Sequence, residues 1–420
     1  MIDKNYIRKK GLKKKITIIG INYYPEDTAI GLYTSQLASY FNDHEFDVTV
    51  ITGFPYYPNW KISSEYESKK TFYKETIDGI TVHRYKQYVP KTPSFMNRAV
   101  HLLDFSFGTF INLFKIKEVD VVLCIVPFIG SVFLAKILAK IKNAKLWVHV
   151  QDFEFDAVLD SNIINNKINK SWFFNVLFWV EAKLLNSANM VSTISSSMLL
   201  KLDKKITKAI PTRLLPNWVD LNFINPKNYK THSYLESSKF KILYAGNIGE
   251  KQDWNLFLEF AKILEIEDDV EIIVVGNGSK REWLAKKLSK TKNISLYNPV
   301  PYSDLSDLMC SADLHILFQK SDVIDTVMPS KILAMMASEK PSLIMGNLKS
   351  EVALIVNKSK AGTYLDSNKL FDAVKFVSLL KSNKSLCDNF GEDARIFASI
   401  NYSKNEILNQ FITTLRNVIK

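Results

Sequence analysis

Tyr244–Lys251 reads YAGNIGEK. It continues an apolar run, Lys241–Ala245 (KILYA), that ends at Gly246, and Asn247–Gly249 supply a short turn. Lys251 follows, and an apolar-periodic segment, WNLFLEFAKIL, starts at Trp254. A strand that ends in a glycine turn and opens a helix presents backbone N–H groups and a positive helix end to a phosphate. A strand–turn–helix that holds no ligand has the same spacing, so the surrounding sequence has to decide.

Around this stretch, short Val/Ile-rich runs recur at Glu271–Val275, Asn293–Leu296, Leu314–Phe318 and Pro341–Met345. The earlier half repeats the pattern at Lys15–Asn22, Asp47–Thr52, Thr81–Tyr85, Val119–Val126, Lys145–Val150 and Met190–Ile194. Helical periodicity lies between them, over Leu32–Phe41 and Ala99–Lys117 among others. Continuous apolar strands alternating with helices predict parallel sheets covered on both faces. Pro216–Asp220 (PNWVD) and the polar run Asn225–Lys239 interrupt the alternation. The expected fold class is therefore α/β, with two Rossmann-like parallel-sheet domains facing a cleft. The expected divisions are a basic tail over 1–14, a first domain over 15–216, a second over 217–400 and a final helical segment over 401–420.

At 420 residues, two domains are the default. A composition of 47% hydrophobic and 23% charged residues is ordinary for a globular protein. The net charge of +12 is not, and part of it is local, because Met1–Lys15 carries seven Lys/Arg against Asp3. Such an arm suits solvent, anionic lipid or nucleic acid. No nucleic-acid recognition motif accompanies it, and none is expected to bind. Cys124, Cys310 and Cys387 form no CxxC, so neither a disulfide framework nor a zinc site is expected. The basic start lacks a following apolar segment, so no signal peptide is expected, and the cysteine usage fits a reducing cytoplasm. Val121–Ala135 is 15 residues without a charge, short of a span, and Pro127 and Gly130 read as strand, turn and helix.

Candidate chemistry gathers at strand ends. EIIVV runs into Gly276-Asn277-Gly278 and a helix near Arg281. Met328-Pro329-Ser330-Lys331 reads as another helix start, with Pro pre-setting the turn, Ser330 able to cap, and Lys331 on the first turn facing an anion. Asp325 just ahead suits sugar hydroxyls, or simply a helix's positive end. In the first half, Asn22–Asp27 leads to Gly31 at a helix start, and His149 and Asp152 sit together in HVQDFEFD as a polar pair. Phe54–Trp60 (FPYYPNW) reads as a loop of exposed rings, including Tyr56, Tyr57 and Trp60. Phe95–Phe114 and Trp172–Trp179 add rings near Arg98, Lys115, Lys167, Lys170 and Lys183. Basic residues beside aromatic helices suit an anionic bilayer surface, and plain core packing competes with that reading at 172–179.

INYYPEDTAIGLYT, TGFPYYPNWKI, HVQDFEFDAVL, VSTIS, LPNWVD, YAGNIGEKQ, VVGNG and MPSKILAMMAS, in this order, resemble the glycosyltransferases of exopolysaccharide, capsule and O-antigen assembly. The resemblance is to the colanic-acid-biosynthesis group within the large retaining family 4, and runs from about residue 15 onward. It implies a GT-B fold, with the acceptor on the first domain and a UDP- or GDP-linked sugar donor on the second. It also implies a final helix over Lys404–Ile419 crossing back to the first domain. Gly31 would approach the donor phosphate and His149 the reacting sugar. Gly246, Asn247, Lys251, Ser330 and Lys331 would line the diphosphate, and Gly276 and Gly278 the nucleotide. No metal and no enzyme nucleophile are implied. The acceptor would be a polyprenyl-diphosphate-linked saccharide, and the enzyme peripheral on the inner face of the plasma membrane.

The chain departs from the family pattern in two places. Where the family has two glutamates eight positions apart, this chain has Thr326 and Ala334. Its usual arginine and lysine after the glycine are Asn247 and Gln252. A nucleotide-sugar epimerase and a non-catalytic subunit of the same fold are the alternatives.

Overall fold

The computed structural model describes residues 13–27, 29–92, 94–153, 170–289, 291–322 and 330–420. The chain divides into two compact units. The first comprises the residues up to Leu215 together with Leu408–Lys420, and the second is Pro216–Ile407.

The first unit follows the order β1 (Lys15–Ile19), α1 (Ala29–Asp43), β2 (Asp47–Gly53), α2 (Ser64–Glu67), β3 (Phe72–Ile77), β4 (Ile80–Tyr85) and α3 (Phe95–Leu113). It continues with β5 (Val121–Val126), α4 (Gly130–Lys142), β6 (Lys145–Val150), α5 (Lys170–Leu185), β7 (Met190–Thr193), α6 (Ser196–Lys205) and β8 (Thr212–Leu214). Its eight strands lie in the order β3-β4-β2-β1-β5-β6-β7-β8. Every pair is parallel except β3–β4, whose strands are joined by the Asp78–Gly79 turn. VVLCIV of β5 is buried at every position, as a strand sandwiched between helices requires. The uncharged run Val121–Ala135 is this strand followed by the start of α4. Among the described residues no helix is long and apolar enough to cross a membrane.

The second unit runs β9 (Phe240–Ala245), α7 (Trp254–Leu264), β10 (Val270–Val275), α8 (Arg281–Leu288), β11 (Ile294–Tyr297), α9 (Leu305–Cys310) and β12 (Leu314–Phe318). Then come α10 (Ser330–Ala337), β13 (Ser342–Gly346), α11 (Glu351–Ser359), β14 (Gly362–Asp366), α12 (Leu370–Ser382) and α13 (Lys384–Asn401). Its sheet is fully parallel, in the order β11-β10-β9-β12-β13-β14. The order reverses between β9 and β12, and the carboxyl ends of strands at such a reversal are where open α/β sheets hold ligands. The core of this unit is continuous, from Leu243 and Ile273 in the sheet to Phe257, Phe260 and Leu333 on the covering helices.

The last helix, α14 (Lys404–Ile419), places Phe411 in the first unit. The Phe411 ring is fully buried, 5.6 Å from the Trp147 ring and 5.1 Å from the His149 ring. Arg213 of β8 donates to Thr414 at 3.0 Å, and Tyr40 of α1 donates to Asn409 at 2.9 Å. The helix thus completes a core whose strands lie more than two hundred residues earlier.

The loop FPYYPNW is not the run of exposed rings expected. Phe54 is fully buried, and Tyr56 packs with Ile21 and Phe105, with Trp60 half-buried against them. Tyr57 alone of the four is substantially exposed, at 40%. Two inward pulls account for this. Glu26 draws the backbone of Tyr56 and Tyr57 down, and the ring of His101 lies 4.7 Å from that of Tyr56.

Candidate active site

In the second unit, three glycines bring backbone to backbone at the ends of β9 and β10. Gly246 has φ +141°, a conformation L side chains rarely adopt. A Cβ on Gly276 would lie 1.9 Å from the carbonyl oxygen of Gly246. Gly278, at φ +152°, would drive a Cβ to 2.4 Å from Asn247 Oδ1 and from the Ile248 carbonyl. Backbone hydrogen bonds tie the two turns together: Gly246 N–H to Val275 O at 2.9 Å, Ile248 N–H to Asn277 O at 2.8 Å, and Lys280 N–H to Ile248 O at 3.0 Å. The result is a close-packed double turn at the point where the strand order reverses.

Lys331, on the first turn of α10, reaches this double turn from the other side of the reversal. A Cβ on Gly246 would lie 2.3 Å from Lys331 Cε. The ammonium donates to the Tyr244 hydroxyl at 2.8 Å, and that hydroxyl donates to the Asn247 carbonyl at 2.6 Å. Tyr244 is buried, and burial pushes its phenol well above the ordinary value, so it stays a donor. No acid occupies the first turn of α10. A cation held at a glycine-lined strand end beside a helix N-terminus is an arrangement for binding and stabilising an oxyanion.

The α7 end of the site differs from expectation. Asp253 caps α7, accepting from Leu256 N–H at 3.0 Å, so a carboxylate already occupies the helix end that YAGNIGEK was expected to offer to a phosphate. Gly249 N–H is also engaged, by Gln252 Oε1 at 3.1 Å. Lys251 is exposed in the turn between them, and its carbonyl accepts from Lys320 N–H at 3.0 Å. The N-terminus of α7 is thus capped by the chain's own side chain, while Lys331 at the start of α10 lies against the Gly246 turn. Ser330 opens α10, and Asp325 lies outside the described residues, as does Thr326. Ala334, where the related pattern has a glutamate, packs against the core of the unit.

The first unit uses its strand ends for something else. Gly31 sits inside the first turn of α1, where a Cβ would come within 2.8 Å of Glu26 Cβ and of the Glu26 carbonyl. Its smallness lets the loop close on the helix. Glu26 Oε1 accepts from both Tyr56 N–H and Tyr57 N–H at 2.8 Å, and Oε2 accepts from Asn22 at 2.7 Å. Burial pushes this carboxyl up, opposed by those donors and by Arg84. Arg84, itself fully buried, pairs with Glu75 and donates to the carbonyls of Tyr24 and Gly53. The Asn22–Asp27 segment reads as a loop in the sequence, but a lone acid such as Glu26 carries no pattern that names its partners.

His149 and Asp152 do not pair. The amide of Gln151 donates to His149 Nε2 at 3.0 Å, so Nδ1 carries the proton and donates to Ser192 Oγ at 2.9 Å. The ring is 1% exposed, and burial lowers its pKa to about 3, so it is neutral at physiological pH. With both nitrogens satisfied inside the core, it is placed for packing against Phe411 rather than for proton transfer. Arg98 stands over the Trp60 ring at 5.2 Å. Among the described residues there is no group of three or more His, Cys, Asp or Glu able to hold a metal ion.

Comparison with known proteins bears on this geometry. Residues 227–397 match the family model described as Glycosyl transferases group 1, which falls on the unit carrying the glycine turns and Lys331. A protein of Escherichia coli strain K12, provisionally named colanic acid biosynthesis glycosyl transferase WcaI, is 29% identical over 417 residues, spanning 96% of this chain and 100% of its own. The structure of sucrose-phosphate synthase from Thermosynechococcus elongatus is similar over 97% of this chain and 99% of that one, with a TM-score of 0.73 at 12% identity. Anabaena HepE, solved in complex with UDP-glucose, is similar over 96% and 99%, with a TM-score of 0.67 at 13% identity. A glycosyl-transferase model matching the second unit, with a relative of that kind along nearly the whole chain and this pair of parallel-sheet units, makes the protein a glycosyltransferase of GT-B fold.

Proposed function

We propose that this enzyme moves a sugar from a nucleotide donor, UDP- or GDP-linked, to a saccharide carried on polyprenyl diphosphate, with retention at the anomeric carbon, in the assembly of a surface polysaccharide. The observation that carries the reading is Lys331 Nζ, held by Tyr244 beside the double glycine turn at the reversal of strand order. The name of the Escherichia coli relative supports the polysaccharide context, and the complex of HepE with UDP-glucose supports a nucleotide-sugar donor. Departure of a nucleoside diphosphate builds negative charge, and a cation fixed before the reaction stabilises it without reorganisation. Lys331 takes that role, with Lys251 a second cation on the rim. Gly246, Gly276 and Gly278 let backbone approach the nucleotide, and the leaving phosphate accepts the acceptor's proton. A lipid-borne acceptor places the enzyme at an anionic membrane surface, on the cytoplasmic side where nucleotide sugars are found.

Melting of the purified protein against UDP-, GDP- and dTDP-sugars tests the donor. A ligand at about 100 times Kd adds roughly 2.7 kcal/mol of stability, easily seen as a raised Tm. A selective rise is expected, followed by transfer to a polyprenyl-diphosphate saccharide. No rise with any donor would sink the reading. An isomerised donor in the absence of acceptor would replace it with epimerase chemistry.

A further inference from the structure

Three neighbouring helices of the first unit turn apolar side chains outward. On α3 the outer positions Met96, Val100, Leu103, Phe107 and Phe110, with Phe114 capping the helix end, recur at three- and four-residue spacing and are 40–69% exposed. That is one continuous stripe along a helix of 19 residues. The inner side of the same helix carries Thr109 and Asn112, both fully buried, and Gly108 against the Tyr85 ring. Thr109 Oγ1 and both amide atoms of Asn112 have no hydrogen-bond partner among the described residues. Unpaired buried polar atoms and exposed phenyl rings are both unfavourable in water, and this helix carries both alongside its buried Phe105 and Leu113.

The stripe does not stand alone. Beside α3 lies α4, with Phe133 and Ile141 at 53% and 60% exposed, and beside α4 lies α5. There Trp172, Val176 and Trp179 follow a helical spacing, and the two tryptophans are 75% and 60% exposed. Large apolar side chains exposed on each of three neighbouring helices mark an interaction face.

Charge selects the occupant. The same helices carry Arg98, Lys136, Lys140 and Lys183, with Lys183 Nζ 4.6 Å from the Trp179 ring. Their two acids, Asp104 and Glu181, are both engaged. Asp104 accepts from the Tyr85 hydroxyl and the Tyr88 N–H, and Glu181 is buried against Lys205. The outward charge is thus positive, in a chain of net charge +12. A second copy would bring like charge onto like charge, whereas tryptophan and phenylalanine ringed by lysine suit the headgroup region of an anionic bilayer.

We infer that the α3–α4–α5 layer is the surface by which the first unit lies on an anionic phospholipid bilayer, with the α3 stripe and the α5 tryptophans inserted at the level of the headgroups. This rests on the reading that the acceptor is carried by a lipid, and it takes up Phe95–Phe114 and Trp172–Trp179, the aromatic segments whose basic neighbours suit an anionic bilayer, without the FPYYPNW loop, whose rings are largely buried.

Co-sedimentation of the full chain with vesicles of phosphatidylcholine, with and without phosphatidylglycerol, tests it. The wild type is expected to prefer the phosphatidylglycerol vesicles by about tenfold or more, and to lose that preference in high salt. Leu103→Glu/Phe107→Glu and Lys136→Glu/Lys140→Glu should each weaken binding by at least about tenfold. Phe371→Glu, at a 72% exposed position of α12, should bind like the wild type. The Lys variant leaves the apolar stripe untouched, so it keeps the test valid if the α3 variant folds poorly. Undiminished vesicle binding by both variants would overturn the proposal. So would a wild-type dimer in sedimentation velocity that Leu103→Glu/Phe107→Glu dissociates with vesicle binding intact. Donor-induced melting shifts read the transferase function separately, so failure of the membrane contact is distinguishable from failure of the transferase reading.

Discussion

The two units share an architecture and spend their strand ends differently. In the second, glycines shape the turns after β9 and β10, and the Lys331 ammonium reaches them from a helix across the strand-order reversal. In the first, the loop after β1 is filled by Glu26, whose oxygens are taken by Tyr56, Tyr57 and Asn22. His149, at the end of β6, has both nitrogens engaged inside the core. One unit lines the ends of β9 and β10 with glycines and a lysine, and the other knots its strand ends with its own side chains. Fold alone therefore does not locate chemistry; the residues at the strand ends do.

The contrast can be broken in four places. Phe411→Ala empties a fully buried site against Trp147 and His149, and should cost about 3–5 kcal/mol in urea unfolding, while donor-induced stabilisation of the second unit persists. Loss of donor binding in that variant would mean the units are not separable in this way. Lys331→Ala should lower kcat by roughly 10²-fold, about 2.7 kcal/mol of transition-state stabilisation. Unchanged turnover would remove the cation from the chemistry and the contrast with it.

A third test uses acid. His83, His101 and His149 of the first unit are buried with lowered pKa values, to about 4 for His83 and about 3 for His149, against His315 alone in the second unit. The unfolded chain takes up protons near pH 6.5 that the fold refuses. Their contribution is thus complete above that pH and is lost as pH falls toward 3–4. His149→Gln should flatten the fall in stability by about 1.4 kcal/mol per pH unit below 6.5, as read from urea midpoints at pH 6.5, 5.5 and 4.5. An unchanged slope would mean the ring is not held neutral. Finally, Tyr244→Phe removes the hydroxyl that positions Lys331, and should reduce kcat by about five- to tenfold with Kd for donor little altered. Equal rates for both proteins would make the tyrosine a purely structural residue.

Much of the second unit was legible in the sequence because its signals are local. Gly246, Gly276 and Gly278 follow apolar runs directly, and the strand period announces the sheet without help from distant residues. The edge strands β3, β8 and β14 were not legible: they are half-exposed and lack a continuous apolar run, as TRL and GTYLD illustrate. Pairings across 30 to 60 residues were equally hidden. Nothing in FPYYPNW tells that Glu26, far upstream, takes the amides of Tyr56 and Tyr57 and turns one of those rings inward. Tyr244 escaped because a tyrosine at the end of an apolar strand reads as core. Asp253 escaped because its capping role subtracts from an anion site that the glycines advertise.

The return of Leu408–Lys420 to the first unit has a consequence for how the chain is made. Synthesis runs from the amino end, and domains generally fold as they emerge. Here the first unit emerges first but must wait, through the whole of Pro216–Ile407, for the ring that seals its core against Trp147. The second unit is contiguous and has no such delay. The half that starts first is finished last, so a nascent chain passes through a long interval in which Trp147 and its neighbours lack their cover.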